Sequence, residues 1–289
     1  MTKSVFRLVL GGGASVLGVL ALWGCHPRLV SQPPPPVPLA KVKLKPAHKG
    51  DKYWESAKEQ VYKRTSEVLK QRQHELAVGL RFHVLDHGDP RRKWLALTFD
   101  DGPHPAYTPK LLAILKQYNV RATFFLVGKM AEQYPDLVRA EMAAGHELGN
   151  HTYHHVNLLE IPVGAVATEI KACGEVIQGI TGQAPGLFRP PGGDYDKRVA
   201  ETAESLGYTM VLWTDDPADY ASPGVKLVTS RVLCDLSDGG IVLLHDGVQQ
   251  TVDLLAPLLA VLKAKGYEFV TADEMLPQRA TPAPRPGKS

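Results

Sequence analysis

From residue 94 to residue 275 the chain alternates between two apolar patterns. Short, mostly unbroken runs predict buried strands: "WLALTF" (94–99), "ATFFLVG" (122–128), "ELGNH" (147–151), "GLFRPP" (186–191), "TMVLWT" (209–214), "GGIVLLHD" (239–246) and "YEFVTADEM" (267–275). Between them, apolar residues recur at helical spacing in "TPKLLAILKQY" (108–118), "PDLVRAEMAAG" (135–145), "AVATEIKACGEVIQGITG" (165–182), "KRVAETAESLG" (197–207), "KLVTSRVLCDL" (226–236) and "TVDLLAPLLAVLKAKG" (251–266). About seven strands joined by helices imply an α/β fold with a parallel sheet and helical crossovers. No period of sequence identity runs through these units.

Upstream, Trp54, Ala57, Val61, Val68, Leu69 and Leu76 follow a 3–4 spacing over residues 51–78. This predicts an amphipathic helix packed on the domain, with a partner or membrane contact as the alternative. Residues 31–47, "SQPPPPVPLAKVKLKPA", read as a semi-rigid Pro- and Lys-rich spacer. The last residues, "PQRATPAPRPGKS", read as a disordered tail.

Charge sharpens this division. Residues 94–275 carry 13 Lys and Arg against 23 Asp and Glu, a balance of −10, whereas residues 1–93 carry 17 against 7, a balance of +10. Basic residues concentrated outside the folded part argue against nucleic-acid binding. The first residues resemble an export signal: Lys3 and Arg7 precede an apolar run, Leu8 to Leu22, that ends at "LWGC". A small residue followed by Cys25 is similar to the lipobox of bacterial lipoproteins, which implies lipidation of Cys25. An uncleaved anchor and an ordinary signal peptide are the alternatives, and all three place the remainder outside the cytoplasm. Of the other cysteines, Cys173 and Cys234 fall in helical patterns and are expected to be buried free thiols.

Five polar clusters lie at or just past predicted strand ends, where α/β folds build their sites. "TFDDG" (98–102) carries two adjacent carboxylates to that rim. "HTYHH" (151–155) offers His151 with either His155, four residues on, or His154, three residues on. Two histidines and a carboxylate suit a divalent metal with an open position for water. "FRPPGG" (188–193) offers Arg189 as a partner for a carboxylate and glycines that let backbone N–H groups approach a substrate. "DDPADY" (215–220) supplies three Asp residues and a Tyr. "LLHD" (243–246) ends on His245, a natural general acid.

Taken in order, these motifs resemble the NodB-homology polysaccharide deacetylases, carbohydrate esterase family four, over roughly residues 93–275. The resemblance implies an irregular (β/α) barrel with Asp100 as catalytic base and with Asp101, His151 and His155 as metal ligands. It leaves His154 on an unspecified position. Arg189, Pro191 and Gly193 match a third motif, in which Arg189 orients Asp100. Asp219 with Tyr220 matches a fourth, in which Asp219 tunes the Arg189 and His245 network. Leu243 and His245 match the last, Leu243 on the acetyl pocket and His245 as acid. The chain departs from the family at Gly192, where Tyr is common and the backbone N–H contacts the oxyanion, and at Tyr220, where Trp is usual.

The expected organisation is a lipoprotein-type signal peptide (1–24), a Pro-rich linker (25–50), the amphipathic helix and connector (51–92), the deacetylase domain (93–276) and the tail (277–289). The expected activity is removal of N-acetyl groups from an extracytoplasmic N-acetylglucosamine glycan, peptidoglycan or chitin-like, with release of acetate. The cofactor implied is a divalent ion, zinc foremost, with cobalt or another ion as alternatives. O-deacetylation of acetylxylan-type glycans and glycan binding without catalysis are the rival functions. The partners implied are a glycan polymer and a membrane reached through the N-terminus.

Overall fold

The computed structural model describes residues 62–277. The targeting pattern with Cys25, the linker, the first part of the predicted amphipathic helix and the tail beyond residue 277 lie outside the described residues. No described helix is long and apolar enough to cross a membrane.

All seven predicted strand regions form parallel strands, and an eighth joins them. In chain order they are β1 (Val84–Leu85), β2 (Trp94–Asp100), β3 (Thr123–Leu126), β4 (Glu147–Asn150), β5 (Leu187–Phe188), β6 (Thr209–Val211), β7 (Gly240–His245) and β8 (Glu268–Phe269). The path runs β1-β6-β5-β4-β3-β2-β7, and β8 pairs with the start of β2. Beyond β6 the chain leaves its β1 and β5 neighbours and turns to β7. The N–H groups of Thr214 and Asp215 both donate to the Ile241 carbonyl, at 3.0 and 3.2 Å, and Leu243 N–H donates to the Asp215 carbonyl at 2.9 Å. That single bridge closes the sheet from β7 round to β6 into an irregular barrel. β1 was not legible in the sequence because a two-residue strand carries no periodicity. It extends the sheet upstream of residue 93.

The helices are α1 (Thr65–Ala77), α2 (Thr108–Gln117), α3 (Gly128–Gln133), α4 (Pro135–Ala143), α5 (Val163–Thr181), α6 (Lys197–Ser205), α7 (Val225–Asp235) and α8 (Gln249–Ala264). Six of them match the predicted helices; α3, a short turn directly after β3, was not expected. Period-two alternation divides the core. Along β2, Leu95, Leu97 and Phe99 join one apolar cluster with Leu254 and Leu258 of α8, while Ala96 joins a second with Leu243, Trp213 and Phe125. Thr98 and Asp100 share the Ala96 face, so strand geometry alone directs the Asp100 carboxylate towards the second cluster. On β7, Ile241 and Leu243 lie in that cluster, which places His245 on the same face.

Two expectations are corrected. The helix predicted from residue 51 begins, among the described residues, only at Thr65. Arg64 is extended (φ −62°, ψ 146°), and its N–H donates to Glu67 Oε2 at 2.9 Å, an arrangement that caps the helix and turns Tyr62 and Lys63 away from it. The buried face of α1 is Val68, Arg72 and Glu75, whereas Leu69 and Leu76 are exposed. This polar face is tolerated because its charges pair. Arg72 bonds Glu75 and, at 3.3 Å, Asp86, and the Tyr195 hydroxyl donates to Glu75 at 3.2 Å. The second correction concerns the thiols. Both are free, but only Cys173 is buried, because Cys234 sits at the exposed end of α7.

Candidate active site

Asp100 closes β2, and Asp101 follows it with φ +74°. This left-handed backbone, uncommon without glycine, swings the two adjacent carboxylates apart. Asp100 Oδ1 accepts from Arg189 Nη1 at 2.7 Å, while its buried Oδ2 has no hydrogen-bond partner and lies 3.6 Å from His151 Nε2. Asp101 Oδ1 lies 3.0 Å from His155 Nε2 and 3.5 Å from His151 Nε2. Burial pushes the Asp101 carboxyl up, but the neighbouring His155, His151 and His245 rings outweigh it and hold the group well below its usual range.

The histidines reach this point through a tight turn after β4. Thr152 and His155 both have positive φ, at +68° and +59°, and His155 N–H donates to Thr152 Oγ1 at 3.1 Å. Thr152 N–H in turn donates to Asn150 Oδ1 at 2.9 Å. The two imidazoles approach each other, Nε2 to Nε2, at 3.1 Å. His151 Nδ1 faces the Arg189 carbonyl at 2.8 Å; donating there leaves a lone pair on Nε2. One ligand atom from each of Asp101, His151 and His155 falls within 4.8 Å of the others, and all three residues are buried. Two imidazole nitrogens and a carboxylate oxygen packed this closely fit a divalent transition metal. His154 points elsewhere: its half-exposed ring pairs with Glu169 at 2.7 Å. We therefore expect His154→Ala to retain metal by elemental analysis, and His151→Ala or His155→Ala to weaken binding by about a hundredfold or more, since each would remove a candidate ligand.

Arg189, at the end of β5, is wholly buried. It is held by Thr98 Oγ1 (2.8 Å) and by the carbonyls of Val211 (3.1 Å) and Leu212 (3.2 Å), with its guanidinium 4.2 Å from the Phe125 ring centroid. A buried cation so fixed can only orient and balance the Asp100 carboxylate. The following turn, Pro191–Gly193, is buried; Gly192 and Gly193 have φ +63° and +70°. A Cβ on Gly193 would stand 2.5 Å from the Trp213 ring, so glycine is needed there for space as well as for backbone conformation.

At the end of β7, paired with Asp100, His245 Nδ1 bonds Asp219 Oδ1 at 2.6 Å, and its buried Nε2 has no partner. Asp219 Oδ2 also accepts from the His245 N–H at 2.8 Å and from the Thr251 hydroxyl. Burial lowers the imidazole pKa, but the Asp219 charge and hydrogen bond, helped by Asp101 and Asp100, override it and push His245 up to about 9. Asp219 Oδ1 also accepts from the Tyr220 N–H at 3.0 Å, so the described contacts of this carboxylate are with His245, Thr251 and Tyr220. The Tyr220 ring stands 5.2 Å from His245, edge-on. Leu243 is fully buried beside Thr98 in the β2–β7 pair.

Three contributors escaped the sequence reading. Thr98 was in view as part of "TFDDG" but had no assigned task. Thr251 had no local signal. Tyr62, 39 residues from Asp101, donates its hydroxyl to Asp101 Oδ2 at 3.3 Å. Nothing in its neighbourhood marks it, since it fell inside the predicted helix.

A cluster that could hold a divalent ion, with an acid beside it at the C-terminal rim of a parallel barrel, suits a hydrolase acting on an acyl group. A sequence model of the polysaccharide deacetylase family matches residues 87–211. A peptidoglycan-N-acetylglucosamine deacetylase of Bacillus cereus is 42% identical over 194 residues, covering 64% of this chain and 88% of that protein. A chitooligosaccharide deacetylase of a Bradyrhizobium species is 38% identical over 188 residues, covering 60% and 86%. Among solved structures, a peptidoglycan N-acetylglucosamine deacetylase in complex with 4-naphthalen-1-yl-N-oxidanyl-benzamide matches with a TM-score of 0.65 at 35% identity, covering 67% of this chain and 92% of that one. The chain belongs to the polysaccharide deacetylase family.

Proposed function

We propose that the protein removes N-acetyl groups from an N-acetylglucosamine-containing glycan of the cell envelope, in a metal-dependent hydrolysis that releases acetate. The carrying observation is a pair of proton carriers, Asp100 Oδ2 and His245 Nε2, at register-paired ends of β2 and β7. Each is buried and without a hydrogen-bond partner, and they lie beside the Asp101–His151–His155 cradle. A divalent ion held by those three residues supplies a Lewis acid that acidifies water and polarises the acetamide carbonyl.

The chain's own groups do the rest. Asp100 Oδ2 takes the proton of the attacking water, with Arg189 fixing the carboxylate and balancing its charge. As the C–N bond breaks, His245 Nε2 delivers a proton to the leaving nitrogen. Asp219 keeps that imidazole charged and oriented. Water and acetamide thus become acetate and a free amine. Gly192, Tyr220 and Leu243 are assigned to the substrate, Gly192 through its N–H at the oxyanion and Leu243 beside the acetyl methyl.

The decisive experiment measures acetate release from chitin oligomers, peptidoglycan and acetylxylan, with chelator treatment and metal add-back. We expect release from the first two, lost on chelation and restored by zinc or cobalt. Activity confined to acetylxylan would move the substrate to O-acetyl esters; glycan affinity without bound metal would make the protein a binding module. The N-acetylglucosamine substrates named for the relatives above favour the first outcome. Attachment to the membrane through Cys25 belongs to the same proposal. It predicts palmitate labelling that is lost in Cys25→Ser.

A further inference from the structure

A polymer-acting enzyme needs its reacting groups within reach of a bulky substrate, yet Asp100, Asp101, His151, His155, Asp219 and His245 are each at most 6% exposed. Part of that cover comes from Tyr62 and Lys63, the two residues before the Arg64 cap of α1. Tyr62, itself 3% exposed, places its hydroxyl on Asp101 Oδ2. Its ring packs edge-on against His245 at 4.6 Å and against Tyr220 at 4.5 Å. One phenol thus touches a metal ligand and the proton donor at once, and the acetamide must lie between those two groups.

The residues that follow the phenol help to hold it there. Lys63 N–H donates to the Gly192 carbonyl at 3.0 Å, and Lys63 Nζ pairs with Asp194 at 3.3 Å. One turn into α1, Gln71 Nε2 bonds the Tyr195 carbonyl at 3.1 Å. The strap is therefore pinned along the 192–195 segment, which borders the reaction centre.

We propose that Tyr62–Lys63 is an autoinhibitory strap, seated in the acetamide position, that must lift before substrate binds. The proposal rests on the reading of this site as a deacetylase centre. Catalysis then requires an open state, and the apparent substrate affinity is reduced by the fraction of molecules that are open. The anchors include the Tyr62–Asp101 and Lys63–Gly192 hydrogen bonds, the Lys63 Nζ contacts with Asp194 and Gln71, and ring contacts with His245 and Tyr220, each a contact of about 1 kcal/mol, so lifting draws on substrate binding energy.

The test uses the full chain with Tyr62→Ala and Lys63→Pro; the second keeps the phenol but deletes the N–H that bonds Gly192. In metal-free protein, carbethoxylation of histidines by diethyl pyrocarbonate is followed site by site, with half-exposed His154 as the internal reference. His155 should be protected in the wild type and modified at least about fivefold faster in both variants, the factor equivalent to one lost hydrogen bond. With metal restored, KM for an N-acetylglucosamine trimer should fall by a similar factor. Unchanged protection in both variants would overturn the strap whatever the activity. A raised KM or lower kcat in Tyr62→Ala, rescued by Tyr62→Phe or not, would also overturn it and make Tyr62 part of the substrate wall. If protection changes as expected but no variant releases acetate, the strap stands and the deacetylase reading fails.

Discussion

Asp100→Asn is expected to lower acetate release by about 10²–10⁴-fold while leaving metal content unchanged. The substitution preserves an oxygen for Arg189 to hold and leaves Asp101, His151 and His155 untouched. What it removes is the capacity of Oδ2, now without a hydrogen-bond partner, to take a proton. Elemental analysis beside an acetate assay separates the two effects. Asp100→Asn with full activity would show that the proton leaves by another route, and loss of metal would show that Asp100 is itself a ligand.

The second large effect is on stability. Arg189→Ala is expected to cost about 3–5 kcal/mol, read from urea unfolding of metal-free protein, because it strands the buried Asp100 carboxylate. It also leaves the carbonyls of Val211 and Leu212 without the donors they have here. Activity would fall too. Both substitutions leave one buried charge uncompensated, but only Arg189→Ala also strips donors from two carbonyls, so it should cost more stability than Asp100→Asn, which keeps an oxygen for the guanidinium. A change below about 1 kcal/mol would mean that water reaches the guanidinium site and replaces the lost donors.

Much of this arrangement could be read from residue order. The apolar run of β2 ending in "TFDDG" placed a carboxylate pair at a strand end, and period-two alternation explains why Asp100 and His245 come to share one face. The His151–His155 pair needed the family resemblance, because spacing alone allowed His154. The structure supplies the physical reason in the Glu169 partner that draws His154 outward.

What stayed hidden depends on contacts distant in sequence. The barrel closes through Thr214 and Asp215, residues that read as the end of one strand and the start of a polar loop; only the neighbouring β7 makes them a bridge. Asp219 takes its described side-chain partners from β7 and α8, as His245 and Thr251, 26 and 32 residues away. Tyr62 lay in a region whose hydrophobic spacing fits a helix, and the cap at Arg64 interrupts that helix through a hydrogen bond rather than through any apolar signal.

Six non-glycine residues have positive φ among those described, and five of them, Asp101, Thr152, His155, Ala218 and Ser222, lie in the loops that carry or flank the ligands and the His245 partner. Each such conformation costs of order 1 kcal/mol or more and persists only where the surroundings impose it. A substitution in these loops is felt through its dihedral angles even when its side chain touches neither metal nor substrate. The integrity of the centre is encoded in Ramachandran space as well as in donor atoms, and variants that keep every ligand can still lose it.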